Sequence, residues 1–143
     1  MRHFETALKA AGDPTRTRIL KLLEGGDLCV CQIQAVLGLA TSTVSKHLSI
    51  LRTAGLVDDR RDGKWMHYGL ASVSQNRHAQ GVLALLRGAL DREPAIAEDR
   101  KTLKRVLRVP PTELCTTGRL ARFAASAKPV GRGIRGEGKP HAR

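Results

Sequence analysis

Two short stretches with helical apolar stripes, residues 27–37 and 41–54, are separated only by Gly38-Leu39-Ala40. So short a link cannot carry the chain away, and the two helices must pack against each other at an angle, as a helix-turn-helix. In the first, Val30, Ile33, Val36 and Leu37 form the inward stripe; in the second, Val44, Leu48 and Leu51 recur at i, i+4 and i+7. Gly38 and Gly55 stop the two helices, and Thr41 or Ser42 is the expected N-cap of the second.

The flanks complete a mainly α chain with one small β-hairpin. Phe4, Ala7, Leu8 and Ala11 predict a helix over 3–11. Asp13-Pro14 is a start signal, with Asp as N-cap and Pro at the first helical position, and Gly25-Gly26 closes the helix it opens. Residues 56–61 and 64–70 flank Asp62-Gly63, which reads as the two-residue hairpin turn. Val82, Leu83, Leu85, Leu86 and Leu90 predict a helix over 74–91. Glu93-Pro94 breaks it, and a further helix covers roughly 97–108. From Pro110-Pro111 onward Gly, Pro, Ala, Lys and Arg dominate, and little fixed structure is expected.

The second helix of the pair has the surface that a major groove requires. Opposite its apolar stripe stand Ser42, Ser45, Lys46, Ser49 and Arg52, with His47 beside them. Small hydroxyl side chains let the backbone approach base edges and phosphates, and the cations neutralise charge. Arg60, Arg61 and Lys64 crowd the hairpin tip, where they can reach flanking phosphates. The chain carries 25 Lys and Arg against 13 Asp and Glu, a net charge of +12, which favours a polyanionic partner. Seven of those cations and two of the acids lie in residues 113–143, so the tail inflates the total.

Val44-Ser45-Lys46-His47-Leu48, followed by residues 51–57, resembles the signature of ArsR-type metalloregulatory repressors, and Asp13-Pro14-Thr15-Arg16 with Ile19-Leu20 resembles that family's second helix. The resemblance covers roughly residues 3–92. It implies a dimeric winged helix-turn-helix that represses its operon and leaves double-stranded operator DNA when a metal or metalloid binds. By matching position, Thr43, Ser45, Lys46 and His47 would be recognition-helix contacts. On this basis residues 1–92 form the DNA-binding and dimerisation domain, 93–109 an additional helix, and 110–143 a basic tail. Helices 3–11 and 74–91 carry more apolar surface than so small a domain buries alone, which suits a homodimer.

Cys29-Val30-Cys31 is similar to the Cys-Val-Cys element of the family's arsenic-responsive branch. Members of that branch often have a third cysteine three residues further on, where this chain has Gln34. Thiolates favour soft, thiophilic ions, and a helix N-terminus favours the thiolate. Two residues apart at the start of a helix, Cys29 and Cys31 point roughly 200° apart, so shared chelation must distort or unwind the first turn. Trivalent arsenic or antimony, the expected inducer, prefers three sulfurs. Cys115 is the remaining thiol, and the alternative third donor is water or a small cellular thiol. A sensor of cadmium, lead or thiol oxidation is the near rival. Zinc ligation by the last long helix is disfavoured, since only His78 and Asp91 stand there.

Other classes fare worse. No Cys-x-x-Cys in a βαβ setting, Ser/His/Asp set, Gly-rich phosphate loop or carboxylate pair is present, so an enzyme with a catalytic cofactor is not expected. Aromatic residues are 3% of the chain, too few for base stacking on RNA. No signal peptide or apolar span is apparent, and an odd count of three cysteines argues against a disulfide framework. A cytoplasmic protein with reduced thiols and no membrane partner is expected.

Overall fold

The computed structural model describes residues 1–116, which form seven helices and one three-stranded sheet. Helices α1 (Arg2–Ala11) and α2 (Pro14–Leu23) meet at Asp13, whose carboxylate accepts from the Arg16 backbone N–H at 3.0 Å. Then come β1 (Leu28–Cys29), α3 (Val30–Leu37) and α4 (Thr41–Thr53). The wing is β2 (Val57–Asp62) and β3 (Trp65–Leu70), followed by α5 (Ala79–Leu86), α6 (Pro94–Val106) and α7 (Pro111–Thr116).

The helix-turn-helix is α3 and α4. Gly38 ends α3 at φ 68, ψ 27, in the left-handed region where glycine carries no Cβ penalty. Ile33, Val36, Val44, Leu48 and Leu51 are buried, so the two stripes face one core. The expected hydroxyl cap is corrected: Ala40 is the N-cap of α4, and no side chain caps it. Thr41 has another partner, since its Oγ1 accepts from Gln34 Nε2 at 2.8 Å. That bond ties α3 to the first turn of α4. Gln34 is itself buried, and its amide also reaches the Leu39 carbonyl at 3.4 Å.

The sheet has the order β1-β3-β2. Asp62 pairs with Trp65, so the hairpin turn is Gly63-Lys64, one residue later than expected. With Gly63 at φ 59 in the first central position, the turn follows the II′ pattern, which needs Gly there. The third strand was not anticipated. Leu28 pairs with Tyr68 and Cys29 with His67, so Cys29 is extended and serves as the N-cap of α3 rather than lying within it. The premise of two helical cysteines therefore fails. Two residues of strand are too few to show a period of two in sequence.

The leucine-rich helix is shorter than 74–91. It begins at Ala79 and ends at Leu86, where Gly88 (φ 79) and Leu90 (φ 64) turn the chain. Asn76 organises the approach: its buried amide donates to the His3 and Ala54 carbonyls, at 2.9 and 3.0 Å. The expected boundary at residue 92 is not a boundary of the core. Ile96 and Val106 of α6 and Leu114 of α7 are buried, and Val106 and Leu114 join the cluster that holds Ile19, Ile33 and Leu48. Nor does fixed structure end at Pro110: Pro111 opens α7, a permitted first helical residue, and Leu114 is fully buried. The remainder of the expected tail, 117–143, lies outside the described residues.

Ionic groups lock α6 to α2. Arg18 donates two 2.7 Å bonds to the buried Asp99, a bidentate pair. Lys21, 2% exposed, donates to Glu24 (2.8 Å) and to the Leu86 carbonyl (2.9 Å), and pairs with Asp91 at 2.9 Å. Arg100 contacts the same two carboxylates. With the ammonium so satisfied, burial is tolerated, and removing one partner would leave an uncompensated buried charge.

Candidate nucleic-acid interface and thiol site

On α4 the expected groove-facing side chains form one exposed stripe: Ser42, Thr43, Ser45, Lys46 and Ser49. Val44, Leu48 and Leu51 occupy the opposite, fully buried side, so the helix cannot rotate to hide the stripe. His47 is half-buried on the border, with its Nδ1 3.4 Å from Arg16 Nη1. Arg52 is exposed, yet its guanidinium donates to Asp59 of β2 at 2.8 Å. A pair this exposed contributes only about 0–1 kcal/mol, so its effect is geometric. It sets the wing beside α4.

The wing cations are all exposed. Arg60 lies 3.8 Å from Asp27, and Arg61 Nε donates to the Gly63 carbonyl at 3.4 Å across the tip. Lys64 occupies the turn itself. The stripe and the tip are thus both presented, joined by the Arg52–Asp59 brace. Sequence reasoning missed that brace, along with the Gln34–Thr41 and Arg16–His47 contacts. A cation on a helix and an acid seven residues on (Arg52, Asp59) is the one signal that could have suggested it.

The second site is built on the start of α3. Cys31 and Cys115 form a disulfide across 84 residues of sequence, with their Cα atoms 5.8 Å apart. Both are half-buried. The contact exists because Leu114 anchors α7 in the core, which carries the next residue onto the first turn of α3. Cys29 is the free cysteine and is buried. Its backbone N–H donates to Gln32 Oε1 at 3.0 Å, satisfying one of the orphan donors of α3. Among the described residues no group of three or more His, Cys, Asp and Glu side chains is arranged to hold a metal ion. The structure therefore brings two sulfurs together and leaves the third inside the core.

Residues 13–59 match the family of bacterial regulatory proteins called the arsR family. An uncharacterized HTH-type transcriptional regulator of Methanocaldococcus jannaschii is 49% identical over 72 residues, which are 48% of this chain and 81% of that protein. The chain belongs to the arsR family. This arsR-family chain is also 39% identical over 84 residues to an arsenic resistance transcriptional regulator of Pseudomonas putida. That match covers 58% of this chain and 62% of the relative, less than two thirds of its length. Among solved structures, the homodimeric winged helix-turn-helix DNA-binding domain from Mycobacterium bovis superposes with a TM-score of 0.54 at 29% identity. It covers 63% of this chain and 80% of the other. The architecture of this family member is accordingly a winged helix-turn-helix. No helix among its described residues is long and apolar enough to cross a membrane.

Proposed function

We propose that the chain is a homodimeric repressor that holds double-stranded operator DNA with α4 and the wing, and leaves it when its thiols capture trivalent arsenic or antimony. The observation that carries the sensing role is the juxtaposition of Cys31 and Cys115 two residues from Cys29. In the reduced chain this is a pair of soft donors, chemically suited to a thiophilic metalloid.

Cys29 supplies the coupling. Its sulfur can join the other two only if the N-cap of α3 gives way, because its side chain is 1% exposed and its backbone is bonded to Gln32. The same residue pairs with His67 of β3, a wing strand, and α3 is tied to α4 through Gln34 and Thr41. Drawing Cys29 outward therefore pulls on both DNA-facing elements. Ser42, Thr43, Ser45, Lys46, His47 and Ser49 would meet the groove, with Arg60, Arg61 and Lys64 on flanking phosphates. Arg52 positions the wing. Phe4 and Leu8 on α1 and Leu85 on α5 are exposed large apolar residues, which suits a second copy across these helices.

The test is release of operator DNA by arsenite from the reduced protein. Cys31→Ser and Cys29→Ser are each expected to abolish release without changing operator affinity, with Cys115→Ser raising the arsenite needed. Release from Cys31→Ser at the wild-type concentration overturns the sensor. A second reading is favoured by the disulfide itself. One hydroperoxide could take two electrons and two protons from Cys31 and Cys115, forming the bond while it is reduced to an alcohol and water. Release by hydroperoxide alone, reversed by a dithiol, would select that signal over arsenite.

A further inference from the structure

Arg16 stands in the first turn of α2, and its side chain touches two other elements at once. Its Nε donates to the Ala10 carbonyl at 2.8 Å and its Nη2 to the Lys9 carbonyl at 3.3 Å. Both carbonyls belong to the last turn of α1, where they have no intrahelical partner and the helix dipole is negative. The backbone of Arg16 is fixed as well, through the Asp13 cap. A planar guanidinium held at two of its nitrogens has little freedom for the third. That third, Nη1, faces His47 Nδ1 on the recognition helix, 3.4 Å away.

A guanidinium only donates. The imidazole nitrogen facing it must be the lone-pair nitrogen, which puts the ring proton of neutral His47 on Nε2. We propose that Arg16 is a positioning residue for DNA recognition: it fixes His47 as the Nε2–H tautomer, so that α4 offers an N–H donor to a base edge. The inference rests on the reading that the exposed stripe of α4 enters the major groove. There a donor suits guanine O6 and N7, adenine N7 or thymine O4, and opposes the amino group of cytosine. The opposite tautomer would present an acceptor and reverse that preference. Arg16 thus sets the sign of a base preference without touching DNA. It also gears the imidazole to the end of α1, the helix that exposes Phe4 and Leu8.

The experiment has two arms on the full chain. Nitrogen-15 spectra of the imidazoles in the reduced, DNA-free protein are expected to show His47 as Nε2–H. In Arg16→Met, which keeps the stem but has no donor, the signal should move to a mixture of tautomers. Operators substituted one base pair at a time are then titrated against wild type, Arg16→Met, His47→Ala and the double variant. At the base pair where His47→Ala loses discrimination, a preference of about tenfold in the wild type should fall to near one in Arg16→Met. The double variant should lose no more than either single one. A wild-type His47 protonated on Nδ1 overturns the proposal without needing any variant to fold. So does a preference that survives Arg16→Met but not His47→Ala. If the tautomer is as expected and His47→Ala changes no base preference, the groove-facing reading of this residue has failed, while the Arg16 contact stands.

Discussion

Both the exposed stripe of α4 and the Cys31–Cys115 pair are anchored on α3, but they are assembled by different physics. The stripe on α4 comes from one continuous segment, and its orientation follows from Val44, Leu48 and Leu51 being buried beneath it. The thiol pair joins residues 84 positions apart, and only the docking of a six-residue helix brings them together. The first surface depends on local periodicity. The second depends on one long-range contact.

Leu114→Ala is the largest single challenge to that contrast. Truncating a fully buried leucine costs about 2–5 kcal/mol. In the reduced protein the loss should fall on α7: hydrogen exchange at 111–116 should rise sharply while α4 keeps its protection. Equal loss of protection in both would mean that the two regions are one cooperative unit. Lys46→Ala tests the other side. It should lower operator affinity and reduce the salt slope by about one unit, leaving the arsenite concentration for release unchanged. A shift in arsenite response would show the two surfaces to be coupled at rest. Gln34→Cys should sharpen the comparison further. Losing the bond to Thr41 should cost about 1 kcal/mol, while a thiol one turn beyond Cys31 should make release less dependent on Cys115. Arsenite titration of this variant with and without Cys115→Ser checks it.

The smallest effect concerns the ionic cluster around Lys21. Lys21 first, and then Arg100, hold the Asp91 carboxyl below the ordinary carboxylate range. A lowered folded-state value means that the stabilisation is full above the unfolded value and disappears as pH falls through the folded one. Asp91→Asn should therefore be less stable than wild type at neutral pH and converge with it in acid. Denaturant unfolding at the two pH values measures this; a difference that persists in acid would assign the effect to packing.

What the sequence disclosed follows the same division. The Asp13 cap, the apolar stripes of α2, α3 and α4, and the basic hairpin are local patterns, and each element lies where its pattern predicts within one or two residues, except that α3 begins at Val30, three residues later than expected. The exposed stripe of α4 was legible for the same reason. Three features were not. A two-residue strand shows no periodicity, so Cys29 was read as helical. The leucines of 82–90 carry a helical spacing through a turn that Gly88 and Leu90 actually make. Pro110-Pro111 reads as a break, yet the second proline begins a helix, and the burial of Leu114 depends on a cavity that no local window contains. Cys115 was for that reason an open alternative in sequence and becomes a neighbour of Cys31 in space.

The docking of α7 also bears on how fast the proposed sensor would answer. A helix of six residues is far below the length at which a helix persists by itself in water, so without the disulfide α7 is held almost wholly by its contacts. Elements of that kind open locally at a small fraction of the free energy of global unfolding. Each opening would expose Cys31 and Cys115 together and reclose without disturbing α2 or α4. The response time of the reduced protein would then follow the lifetime of this one flap rather than the much slower clock of the core.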